Sequence, residues 1–163
     1  MIENSSFTGP FLVMPAEAFG VSEMPSGYFL DTGQSGLMGT INALDARTAC
    51  AARTRDDPSI AAHCGHILYL FRFYAAFERG ETPAADWPGS WKTPDLDDAG
   101  WDTLRHELQT EYETLVDWLQ KREAWPDQAL GASMMLLAHC AYHVGEIKQR
   151  LSWVGVDGAA RIS

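Results

Sequence analysis

The chain has 163 residues, 46% of them hydrophobic and 11% aromatic, with a formal charge of -10 and a pI near 4.8. That length and apolar content suffice for one domain with a core of its own and exclude a disordered chain. The acidic balance excludes a sequence-independent nucleic-acid binder, which needs a basic surface, and no apolar run reaches the roughly 18 residues of a membrane span.

Residues 1–33 carry Pro10, Pro15 and Pro25 among several glycines, which argues against a continuous helix and predicts an irregular N-terminal arm. Phe7, Phe11, Leu12, Val13, Phe19, Tyr28 and Phe29 make the arm apolar, so it is expected to pack on the domain or on a partner subunit. From residue 34 the pattern changes. Leu37, Met38, Ile41, Leu44 and Thr48 recur at three and four, predicting a first amphipathic helix over 34–52. Asp57 before Pro58 reads as an N-cap followed by a first-turn proline, opening a second helix over 58–79 that Gly80 ends. Ile60, Ile67, Leu70, Phe71, Phe73, Tyr74 and Phe77 cover much of its circumference, so it should be central. His63 and His66 fall near its core-facing side.

Residues 81–96 form a long connection with Pro83, Pro88 and Pro94, together with Trp87 and Trp91, read as a packed crossover or a lid. Asp95, Asp97 and Asp98 precede a third helix with an apolar stripe of Trp101, Leu104, Leu108, Tyr112, Leu115, Trp118 and Leu119. His106 lies off that stripe and reads as a surface residue. Pro126 and Asp127 open a fourth helix, closed by Gly155 and Gly158, with Leu130, Met134, Leu137, Ala141, Val144, Ile147 and Leu151 as its expected buried face. Four helices and no strand alternation predict an all-α four-helix bundle over 34–163.

The fourth helix carries the chemistry. His139 and His143 are four apart and Glu146 follows at three, so all three share one side of the helix. Such a pair is either a polar core contact or part of a metal centre. One histidine from the second helix would add a third nitrogen, leaving a fourth position of a tetrahedral ion open, as catalytic sites require. Cys64 and Cys140 each follow such a histidine but are rotated about 100° away, which makes them small core fillers. Three cysteines, Cys50 included, cannot all pair, and with no secretory signal pattern they imply a reduced, cytoplasmic protein.

The segments P-S-I-A-A-H-C-G-H-I-L-Y-L (residues 58–70) and H-C-A-Y-H-V-G-E-I (residues 139–147) resemble the two signature motifs of the DinB-like (YfiT-like) metal-dependent superfamily. The resemblance covers residues 34–153. It implies a centre in which His139 and His143 join a second-helix histidine eight positions after the helix opens, here His66, followed by Ile67. His63, one turn earlier, is the alternative ligand, or else orients a ligand or lines the pocket. Glu146 stands where relatives often carry glutamine; it would hydrogen-bond an imidazole, act as an acid or base, or face solvent. The resemblance further implies a divalent metal, zinc or nickel, and a homodimer. It also points to metal-dependent hydrolysis, or to transferase or isomerase chemistry that uses a low-molecular-weight thiol on a small-molecule substrate. Tyr69, Phe73, Trp87 and Trp91 are the candidate pocket walls. The alternative is a non-catalytic, stress-related or structural bundle dimer whose metal only stabilises the fold.

Overall fold

A computed structural model describes residues 2–20, 27–31, 34–52, 54, 56–92 and 95–154. The elements in chain order are β1 (Ile2–Glu3), α1 (Asn4–Phe19), α2 (Leu37–Ile41), α3 (Ala46–Cys50), α4 (Ile60–Glu78), a 3-10 turn (Gly89–Trp91), α5 (Asp98–Lys121), β2 (Ala124–Trp125) and α6 (Asp127–Val154). The all-α class is as expected, and the second, third and fourth predicted helices appear as α4, α5 and α6. The long α4 packs along both α5 and α6. The two β pieces form one small antiparallel pair, with Ile2 opposite Trp125 and Glu3 opposite Ala124.

The N-terminal arm is the first correction. Residues 4–19 are helical in spite of Pro10 and Pro15, which both sit inside α1. Each interior proline removes a backbone hydrogen bond and costs about 3 kcal/mol. Aromatic burial offsets that loss. Phe11 and Phe19 are buried, and Phe7 stacks on Phe11 with ring centroids 5.0 Å apart and meets Trp125 edge-on at 4.8 Å. Phe19 packs against Phe71 at 5.0 Å and Tyr112 at 5.1 Å. Burying such side chains is worth about 1.5–3 kcal/mol apiece, enough to hold a helix that local preference disfavours. Pro25 lies outside the described residues.

Beyond α1 the chain is tied down by one carboxylate. Glu17 is buried, and its oxygens accept the backbone N–H groups of Tyr28, Phe29 and Leu30, each at 2.7 Å. Burial opposes its ionisation, but the three donors outweigh burial and set its pKa below the ordinary carboxylate value. Glu17→Gln turns an amide N–H toward donors that need an acceptor, so it is expected to lower unfolding free energy by about 2–3 kcal/mol in urea denaturation. Gly36 passes the end of α1 so closely that a Cβ there would sit 2.4 Å from the Glu17 carbonyl oxygen, which only glycine avoids.

The predicted helix over 34–52 is two short helices. Continuing α2 into α3 would pair the Thr48 N–H with the Leu44 carbonyl. Instead the Asp45 carboxylate accepts that N–H at 2.8 Å, and the Trp101 indole N–H donates to the Leu44 carbonyl at 2.9 Å. The cap of α4 also differs from the expectation. Ser59 accepts the Ala62 N–H at 3.1 Å, while Asp57 binds Arg150 at 2.7 Å. Gly80, with φ +78°, follows α4 as its spacing predicts. Asp97 caps α5 through the Gly100 N–H at 2.8 Å, and His106 is exposed as expected.

On α6, Leu137, Val144 and Ile147 are buried as predicted, but Met134 is 56% exposed and Leu130, Ala141 and Leu151 are only half-buried. Ser133, Leu136, Cys140 and His143 are inside instead. No Asp, Glu, Lys or Arg interrupts residues 128–145, so apolar periodicity gives no single stripe there. A hydrogen bond between Tyr74 and Ser133 of 2.7 Å, together with the histidine contacts below, sets the rotation of the helix. Gly155 and Gly158 lie outside the described residues. Among the described residues no helix is long and apolar enough to cross a membrane. Cys50, Cys64 and Cys140 carry free thiols, and Cys64 and Cys140 are fully buried core fillers whose thiols burial pushes well above their ordinary pKa.

Candidate metal centre

The helices α4 and α6 run antiparallel, because His63 faces His143, His66 faces His139 and Tyr74 faces Ser133. Side chains one turn apart on each helix therefore meet across the interface at two successive levels. One level pairs His66 Nε2 with His139 Nε2 at 3.1 Å. The next pairs His63 Nδ1 with His143 Nδ1 at 3.0 Å. His66, His139 and His143 each offer one ring nitrogen, and the three nitrogens lie within 4.8 Å of one another. Such a group can hold a metal ion. His63 is not in that set, and it stands behind His143.

The protons of the centre can be counted. The Ser90 hydroxyl donates to the Trp87 carbonyl at 2.7 Å, which uses its only proton. The 2.7 Å contact between Ser90 Oγ and His66 Nδ1 must then be donated by the imidazole. His66 is thus protonated on Nδ1 and turns a lone pair on Nε2 toward His139. An N–H donating to a fixed oxygen behind a ring whose other nitrogen faces inward is the usual support of a histidine ligand. His143 Nε2 is buried and has no partner among the described residues. A buried ring nitrogen left unpaired is costly, and a metal shared by three imidazoles satisfies all of them at once. The donor set fits a divalent ion.

His63, His66 and His143 are each 3% exposed, whereas His139 is half-buried at the opening of the centre. Burial holds His63 down to a pKa of about 4, with the nearby Arg150 charge adding to it. Burial and the neighbouring His139 take His66 to about 4. Burial, then His63, His139, His66 and Arg150, take His143 to about 3. Burial also lowers His139. All four rings are neutral near pH 7, the form in which imidazole binds metals.

Trp91 covers the centre. Its ring stacks on His66 with centroids 4.1 Å apart and meets His63 and His143 edge-on at 5.2 and 5.4 Å. Of the expected walls, Trp91 touches the histidines, while Tyr69, Phe73 and Trp87 form their own cluster along α4, with Trp87 5.5 Å from Tyr69 and 5.2 Å from Phe73. Residues 81–92 of the connection are largely exposed; they lay Trp91 on the site and leave Trp87 44% exposed, and Pro94 lies outside the described residues.

Glu146 is engaged by Arg150 at 2.7 Å. Arg150, only 8% exposed, also donates to Asp57 at 2.7 Å and to the Pro58 carbonyl at 2.8 Å, so one guanidinium joins the start of α4 to the end of α6 beside the histidines. Arg150 and Ser90 were not singled out from the sequence. Arg150 continues the series 139, 143, 146 at a further four, a spacing that places it on the same face. Ser90 sits in an aperiodic loop, where spacing carries no signal. No family model, curated protein or solved structure matches this chain.

Proposed function

We propose that the chain is a divalent-metal protein of the DinB-like, four-helix-bundle type, with His66, His139 and His143 as its ligands and zinc, then nickel, as its metal. The observation that carries this reading is the convergence of three neutral ring nitrogens within 4.8 Å, one of them a lone pair fixed inward by Ser90. Zinc and nickel both suit a set of imidazoles. Such an ion, when bound, lowers the pKa of a thiol or water at its open position and stabilises the resulting anion. Thiol-dependent transferase or isomerase chemistry on a small electrophile follows as the first reading. The chain's own contribution is to keep three imidazoles neutral, to fix the His66 tautomer, and to place the Trp91 ring where it limits water and shapes the approach. Tyr69, Phe73 and Trp87 form a separate apolar cluster along α4 that would serve a hydrophobic substrate.

The second reading, a centre that only stabilises the fold, is favoured by one observation: the Glu146 carboxylate is held by Arg150 rather than presented to the histidines. A homodimer is part of the same proposal, supported by Met134, Met135 and Tyr142, which are 56%, 54% and 63% exposed along the uncharged part of α6, and the free cysteines go with a reduced, cytoplasmic setting.

Elemental analysis of the purified chain is expected to find about one divalent ion per chain. No metal after reloading with zinc would overturn the proposal. Thiol consumption with mycothiol, bacillithiol or glutathione against chlorodinitrobenzene separates the two readings: turnover lost in His66→Ala supports the enzyme, and no turnover with any thiol supports the structural centre.

A further inference from the structure

The two histidines at the deeper level of the centre raise a question of proton placement that the ligand set alone does not answer. His63 and His143 touch through their Nδ1 atoms at 3.0 Å, and the Nε2 atom of each is buried without a partner among the described residues. A neutral imidazole has one N–H and one lone pair, so one Nδ1 donates and the other accepts. If His63 donates, His143 carries its proton on Nε2, which then cannot ligate. If His143 donates, its Nε2 holds a lone pair and His63 keeps its own proton on Nε2. Only the second arrangement lets His143 be a ligand through the nitrogen that the fold leaves unpaired.

We infer that His63 is a positioning residue: by accepting the Nδ1–H of His143 it fixes the tautomer and ring orientation in which His143 offers Nε2 to the metal. This rests on the three-histidine reading above and assigns His63 within it. A neutral imidazole takes the place that a carboxylate or backbone carbonyl ordinarily holds behind a metal-bound histidine. The carboxylate nearest in sequence, Glu146, is engaged by Arg150 and leaves that place to His63. Ser90 behind His66 and His63 behind His143 then perform the same task for two ligands.

The test is a zinc titration against a chromophoric chelator on the full chain, with nitrogen NMR of the histidine rings. It compares wild type, His63→Leu, which fills the space without an acceptor, and His63→Asn, whose amide oxygen stands near the position of Nδ1. Loss of such a partner weakens metal binding by about 10–100-fold, so His63→Leu is expected to fall in that range and His63→Asn to lie within about threefold of wild type. Zinc-loaded wild type should carry the His143 proton on Nδ1 and the His63 proton on Nε2. Equal weakening in both variants, unchanged affinity in His63→Leu, or cadmium-113 coupling to a His63 nitrogen would overturn the inference. If circular dichroism shows His63→Leu unfolded, the wild-type tautomers decide, and a His143 proton on Nε2 overturns it. Absence of zinc binding in wild type strikes the three-histidine centre itself, and the inference with it. Retained affinity in a folded His63→Leu strikes only the inference.

Discussion

His143→Ala is expected to reduce zinc affinity at least about a thousandfold, to the level of a two-histidine surface site. His143, like His66, is 3% exposed, and its ring contacts those of both other histidines of the group, with centroids 4.8 Å from His66 and 4.7 Å from His139. Removing it leaves His66 and His139 as one pair on facing helices, and the group of three ring nitrogens is lost. His139→Ala should cost as much affinity but less stability, because that side chain is only half-buried. His143→Ala also strips His63 of its Nδ1 partner, adding about 1–3 kcal/mol of destabilisation for a buried polar atom left unpaired. The control is His106→Ala, a histidine exposed on α5, which should bind zinc as wild type does. Elemental analysis and chelator competition measure the affinities, with circular dichroism as the check of folding. A full equivalent of zinc retained by a folded His143→Ala would place the centre elsewhere.

What was legible in the sequence follows from where local pattern and tertiary packing agree. On α5 the apolar stripe is narrow and its opposite face charged, so Trp101, Leu104 and Leu108 were identifiable as buried. On α6 the residues 128–145 carry no charged side chain to mark the edge of the stripe, so the pattern identifies Leu137, Val144 and Ile147 as buried but also includes the exposed Met134 and misses Ser133 and Cys140. The histidine pair escaped this ambiguity because a spacing of four fixes a shared face whatever the rotation. The helical arm was illegible for the opposite reason. Pro10 and Pro15 argue locally against a helix, and the aromatic contacts of Phe7, Phe11 and Phe19 that outweigh them come from residues more than fifty positions away, Phe71, Tyr112 and Trp125. The break between α2 and α3 likewise depends on the Trp101 indole, which no window around Leu44 contains.

The residues that contact the histidines were less visible than the histidines themselves. Ser90 reaches His66 from the 3-10 turn, and Arg150 of α6 reaches the Pro58 carbonyl just before α4. Both act by supplying a fixed hydrogen bond at a distance in sequence. His139 and His143 are one helical turn apart, a spacing visible in the sequence, whereas His66 joins them from α4 and the residues that contact the three rings follow no such pattern.

The same burial that neutralises the histidines sets the response to acid. An exposed three-histidine site with ordinary pKa values near 6.5 must shed protons to bind, and between pH 8 and 5.5 it loses about a thousandfold in zinc affinity, roughly elevenfold per ring. Here His66 at about 4 and His143 at about 3 remain neutral at pH 5.5, and only the half-buried His139 is left to compete with protons. Zinc affinity should therefore fall less than about tenfold over that range, a difference of some two orders of magnitude from the exposed case. The metal-free protein carries the complementary liability. Folded pKa values depressed below 6.5 mean that the unfolded chain binds protons the folded chain refuses. The stability contributed by keeping His63, His66 and His143 neutral is thus fully present above pH 6.5 and is lost as pH falls toward their folded values of about 3 to 4. Each of the three removes up to about 1.4 kcal/mol per pH unit in that window, so the metal-free chain should unfold in less urea at pH 5 than at pH 7. Zinc should restore much of the difference, since an ion bound to the folded state alone adds stability in proportion to the logarithm of its concentration over its dissociation constant. Urea titrations at both pH values, with and without zinc, measure all four states. A metal-free chain equally stable at pH 5 and pH 7 would show that these histidines are open to protonation in the folded protein, and a thousandfold loss of zinc affinity by pH 5.5 would say the same of the ligands.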